Sequence, residues 1–209
     1  MKIFIDFDDV LFNTKKFKAE YLKIFKKNGV SKKVFQDCYH DNREEYKRYD
    51  PIEHIRRICT LKKTKMPKLQ QDIVDFVQDT GEYIFGDVSN FLIKFKKADL
   101  YLVSFSITYL QKQKIANSGI AKKFKQIEIV NELKARAVGN LIKKNKLSIR
   151  DDLYFLDDRV EQLEDVKKRY PSIKTILVRR KEGRYRDNKN KYCDFVCNNL
   201  KQVEKIILK

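Results

Sequence analysis

The stretch Lys2-Ile3-Phe4-Ile5-Asp6-Phe7-Asp8-Asp9-Val10-Leu11 decides the fold. Residues 2–6, KIFID, read as a short buried strand that ends in an acid. Later runs have the same form. LYLVSFS (100–106) is almost continuously apolar and ends in hydroxyls, and DLYFLDD (152–158) ends in two acids. KQIEIV (125–130), TILV (175–178) and the short FVC (195–197) complete the set. Helical stretches separate them, at about 87–97, 108–118, 135–145 and 160–170, with a closing helix at 200–208. Unbroken apolar strands alternating with helices call for a parallel sheet covered on both faces. The expected class is therefore α/β, a doubly wound parallel sheet.

One region departs from that rhythm. From residue 15 to residue 85 everything reads as helix or loop. Phe17, Tyr21, Ile24 and Phe25 form one apolar stripe, and Gly29 ends that helix. Shorter stripes follow at Val34, Phe35 and Cys38, at Ile52, Ile55 and Ile58, and at Leu69, Ile73, Phe76 and Val77. This stretch lies between the first and second strands, so it reads as an all-helical insertion. The expected core is then 1–14 together with 86–209.

The chain has 209 residues, long enough to bury a core without disulfides. Its apolar fraction of 42% excludes wholesale disorder, and no apolar run approaches a membrane span. Acids interrupt the first strand, unlike a signal-peptide core, so a cytoplasmic protein that makes no membrane contact is expected. A monomer is the simplest expectation for its assembly. The net charge of +18 comes mostly from lysines spread along the chain, a solvated surface. Residues 179–191, RRKEGRYRDNKNK, are denser, with seven basic and two acidic residues. Cys193 and Cys197 read as small apolar residues. Cys38, His40, His54 and Cys59 offer zinc-binding atoms, but no CxxC pair anchors them.

Ligands of doubly wound sheets bind beyond the carboxyl ends of the strands. The residues there are Asp6 and Asp8, Ser104 and Ser106, and Asp157 and Asp158. Four carboxylates drawn to one edge repel each other, and a hard divalent cation such as Mg²⁺ relieves this and suits phosphate.

These residues resemble the haloacid dehalogenase (HAD) superfamily. IFIDFDDVL (3–11) is similar to its first motif, YLVS (101–104) to its second, Lys134 in NELKARAVGNLI to its third and LYFLDDR (153–159) to its fourth. The resemblance implies a Rossmann-like core, a helical cap at 15–85 and phosphoryl transfer through an aspartyl-phosphate. Asp6 would be the nucleophile and Asp8 the general acid and base. Mg²⁺ would be held by Asp6, the Asp8 carbonyl, Asp157 and Asp158, with Ser104 and Lys134 on the phosphate. Ser106, Lys112 and Lys114 are rivals for those last places, set aside for their positions along their elements. Asp9 is expected to point away from the site by strand alternation. An acid at position 8 favours a phosphatase acting on a small phosphorylated metabolite over cleavage of a carbon–halogen bond. The alternative is a nucleotide- or nucleic-acid-binding protein, or a polynucleotide-end phosphatase, that uses the basic 179–191 segment.

Overall fold

The computed structural model describes residues 1–39, 49–106, 108–148 and 151–209. The chain opens with β1 (Lys2–Ile5), followed by α1 (Thr14–Lys27), α2 (Lys32–Asp37), α3 (Pro51–Lys62) and α4 (Pro67–Phe76). It continues through α5 (Val88–Leu92), β2 (Leu100–Phe105), α6 (Tyr109–Ala116), β3 (Gln126–Val130) and α7 (Ala135–Lys144). The last part is β4 (Leu153–Asp157), α8 (Val160–Arg169), β5 (Lys174–Val178), β6 (Phe195–Cys197) and α9 (Leu200–Ile207).

The strands form one parallel sheet in the order β3-β2-β1-β4-β5-β6. This is the expected α/β, Rossmann-like, doubly wound architecture. The order reverses at β1, between β2 and β4, which is where such sheets place ligands. Register fixes the outcome: Ile5 pairs with Leu156, and the Asp6 N–H donates to the Leu156 carbonyl at 2.9 Å. Asp6 therefore emerges level with the end of β4.

Strand alternation divides the core into two layers. Phe4 joins Val138 and Leu141 of α7 and Leu163 and Val166 of α8. Ile3 and Ile5 face the other way, into a cluster shared with α5, α6, α9 and the α1–α4 insertion. An aromatic chain ties that insertion to the end of β1. Ring centroids step from Phe7 to Phe12 at 4.9 Å, to Phe17 at 5.4 Å, to Tyr21 at 5.9 Å and to Phe25 at 5.1 Å. Among the described residues no helix is long and apolar enough to cross a membrane.

The helix expected from Asp87 to Lys97 is shorter, ending at Leu92. The Asp87 carboxylate accepts from Arg180 and from the Leu200 N–H, so it does not cap its own helix. Phe95 then turns inward to meet Phe91 at 4.9 Å, and a 3₁₀ turn at Lys97–Asp99 delivers the chain into β2.

Both ring nitrogens of buried His54 are engaged, Nδ1 with the Tyr49 hydroxyl and Nε2 with the Phe35 carbonyl, each at 2.9 Å. That carbonyl can only accept, so Nε2 carries a proton. Cys38 and Cys59 are free thiols, and His40 lies outside the described residues. Substituting His54→Phe keeps a ring while stranding the Phe35 carbonyl. An unsatisfied buried group costs about 1–3 kcal/mol. The expected outcome is a lower urea midpoint with an unchanged m-value.

Candidate active site

Asp6, Asp157 and Asp158 are brought together by the β1–β4 pairing. They are buried, and each offers an oxygen within 4.8 Å of the others. Lys134 stands among them, its Nζ donating to Asp6 Oδ1 at 2.5 Å and to Asp157 Oδ2 at 2.7 Å. Neighbouring side chains place this lysine at the mouth of α7. The Lys134 N–H donates to Gln162 Oε1 at 3.1 Å and the Ala135 N–H to Asp165 Oδ2 at 2.9 Å, both from α8.

Burial pushes the Asp6 carboxyl up to about 7; repulsion from Asp157 and Asp8 adds to this, and Lys134 opposes it. Burial raises Asp158 well above the usual range, with Asp6 and Asp157 repelling it further. Burial would lower Lys134, but Asp157 and Asp6 together hold it above its ordinary value. Asp158 Oδ2 is a buried oxygen with no hydrogen-bond partner. A cluster of three acids with one lysine and an orphaned carboxylate oxygen fits a hard divalent cation.

Asp8 has a separate environment. Its Oδ1 accepts from Thr14 Oγ1 at 2.8 Å and from Lys114 Nζ at 2.5 Å, and its Oδ2 accepts from Gln111 Nε2 at 2.9 Å. Burial favours the neutral carboxyl, yet Lys114, Arg184 and these hydrogen bonds hold it well below the usual carboxylate range. Buried Lys114 lies near the faces of Phe7, Phe12 and Phe17, 4.7 Å from the centroid of Phe12. Its position along α6 led the sequence reading to set it aside. The helix, however, is capped by Thr108 and turns Gln111 and Lys114 inward together.

Ser104 is fully buried, its Oγ accepting from Gln111 Nε2 at 2.7 Å. The pocket above Asp6 and Asp8 is lined by Ser106 and Thr108, not by Ser104. Asp9 lies beyond the end of β1, so a turn with φ of 58°, rather than strand alternation, sets its direction. It is fully buried and ion-paired with Arg184. Three arginines of the basic segment bond to the chain itself. Arg180 binds Asp87 and the Val10 carbonyl, Arg184 binds Asp9, and Arg186 binds the carbonyls of Arg180 and Lys181.

No protein-family model and no curated protein matches this sequence. Solved structures do match it. A haloacid dehalogenase-like hydrolase from Burkholderia xenovorans LB400 superposes with a TM-score of 0.73 at 14% identity, covering 98% of this chain and 94% of that one. The fold is that of the HAD-like hydrolases. A magnesium-bound HAD-hydrolase from Bacillus subtilis gives 0.65 at 14% identity, over 99% and 97% of the two chains. The L-2-haloacid dehalogenase of Xanthobacter autotrophicus, with chloropropionic acid covalently bound, gives 0.57 at 11% identity, over 100% and 99%. At such identities the likeness establishes the HAD-like fold and leaves the reaction to the side chains.

A carboxyl raised from 3.8 to about 7 destabilises the fold as it ionises. Its contribution is most favourable below its unfolded value and is lost as pH rises from about 4 through 7. Urea midpoints of protein in EDTA should therefore decline over that window. Asp6→Asn removes one of the two raised carboxyls and should lessen the decline, with Asp158 contributing what is left.

Proposed function

We propose that the chain is a Mg²⁺-dependent phosphatase that hydrolyses a small phosphorylated metabolite. The observation that supports this most is the pair of unlike acids on one strand end. Asp6 is a carboxylate set against two others and a lysine. Asp8 is a second acid two residues on, lining the same pocket. A dehalogenase needs the first of these. Only a reaction with an oxygen leaving group has use for the second.

Asp6 attacks phosphorus, its oxygen forming the new P–O bond as the ester P–O bond breaks. Asp8 passes a proton to the departing oxygen and later takes one from the water that opens the aspartyl-phosphate. As it stands, Asp8 is held ionised by three donors, so it must leave Lys114 and Thr14 before it can carry that proton. Lys134 holds Asp6 in place and balances its charge. Mg²⁺ bound by Asp6, Asp157 and Asp158 would neutralise charge on the phosphoryl group. Residues 15–85 act as a cap that shields the pocket from water.

Hydrolysis of p-nitrophenyl phosphate should require Mg²⁺ and stop in EDTA. Asp6→Asn should abolish it, and Asp8→Asn should slow it by about 10²–10⁴-fold, least for good leaving groups. Release of chloride from 2-chloropropionate without any phosphatase activity would reverse the assignment.

A further inference from the structure

The pocket over Asp6 and Asp8 has a volume of about 1000 Å³, far more than one phosphoryl group fills. Three of its cations take no part in the chemistry above: Arg159, which pairs with Glu161, Lys18 on α1 and Arg184 in the loop after β5. Lys18 comes from the helical insertion and Arg184 from the core.

Arg184 is exposed at the pocket mouth but anchored by its side chain. Its loop is tied to the turn after β1 at two points. Arg180 Nε donates to the Val10 carbonyl at 2.7 Å, and Arg184 Nε donates to Asp9. Asp9 is fully buried in a left-handed backbone conformation, with Arg184 as its only ion-pair partner among the described residues. Of the Arg184 side chain, only Nε takes part in the tie. The terminal guanidinium nitrogens of Arg184 form no hydrogen bond among the described residues, and Tyr185 lies beside them with its ring centroid 5.3 Å from Arg184 Cζ.

Lys18 is exposed at the rim, its Nζ 5.4 Å from the centroid of Tyr39, and it makes no ion pair among the described residues. Crowding by the pocket walls lowers its pKa, and repulsion from Arg184 lowers it further. Asp8 and Asp9 act on both cations. Lys18 and Arg184 line the same pocket as Asp6 and Asp8.

We propose that Lys18 and Arg184 form a second anion site, so that the substrate is a phosphomonoester carrying another anionic group, a phosphate or a carboxylate, at its far end. This deepens the phosphatase reading and rests on it. The acids below would repel such a substrate unless cations at the rim offset them. The two like charges also gain a shared counter-ion when it binds. Because one cation belongs to the insertion and the other to the core, a doubly anionic ligand would join the two across the pocket.

The test is calorimetric binding to the Asp6→Asn protein, which does not depend on turnover. The probes are n-butyl phosphate, 1,4-butanediol bisphosphate and 4-phosphooxybutyrate, which share a four-carbon chain. At least one of the two dianionic-ended probes should bind about tenfold or more tightly than butyl phosphate, the scale of a charge-assisted hydrogen bond. Which of them does so identifies the second group. Lys18→Ala and Arg184→Gln, each made in that background, should bring the ratio to within about twofold. Lys18 is on the rim and its removal spares the fold, so it serves if Arg184→Gln is unstable. Equal binding of all three probes, or a preference that survives Lys18→Ala, would overturn the second site. A preserved binding preference in a protein that hydrolyses none of the probes in its unsubstituted form would overturn the phosphatase reading instead.

Discussion

The fold is arranged around an electrostatic conflict: three buried carboxylates, Asp6, Asp157 and Asp158, share one end of two neighbouring strands. Side chains this close cannot all ionise without help. Lys134 supplies one positive charge and bonds two of them, leaving an Asp158 oxygen without a partner. Parallel pairing of β1 with β4 forces the encounter, because the register that buries Ile5 beside Leu156 also sets Asp6 level with Asp157. Hydrophobic burial in the sheet thus holds an arrangement that would otherwise spread apart, and the charge that remains unbalanced is what a cation and an anionic substrate can use.

A second tier surrounds that centre. Asp8 is gripped by Thr14 from the start of the insertion and by Gln111 and Lys114 from α6. Asp9, one residue on, turns through a left-handed conformation into a buried pair with Arg184. Three successive functions of one short segment therefore follow from backbone geometry: the end of a strand, a half-buried turn and a buried anchor. The aromatic chain from Phe7 through Phe12 and Phe17 carries the same segment's position out to the insertion. Lys18 is set over the pocket by the helix that carries Phe17.

Much of this was legible in the sequence because strand ends are. Asp6, Asp157 and Asp158 each sit at a boundary where an apolar run stops, and the sheet topology draws such boundaries together; Lys134, at the mouth of α7, is legible only through the resemblance of NELKARAVGNLI to a family motif. Lys114 was not legible for a related reason. It occupies the buried stripe of α6 with Gln111, so the helix lacks the apolar face that reveals a register, and a polar residue there reads as solvent-facing. A helix whose inward face is polar is itself a sign of a site. The Asp9–Arg184 pair spans 175 positions, and nothing local announces it. Asp87 stands at the start of α5, yet Arg180 and the start of α9 take its carboxylate. In the dense basic segment 179–191, three of the four arginines, Arg180, Arg184 and Arg186, bind their own chain at Asp87, Asp9 and main-chain carbonyls.

The central claim is that Asp6 is the residue that takes the phosphoryl group. Acid-quenching the protein during turnover of p-nitrophenyl phosphate with Mg²⁺, followed by borohydride reduction and peptide mass mapping, tests it directly. An aspartyl-phosphate is reduced to homoserine and an unmodified aspartate is not, so the mass change identifies the residue. Homoserine at position 6 is the expected result. Homoserine at Asp8 or Asp9, or an unmodified 2–15 segment while turnover is under way, would contradict it.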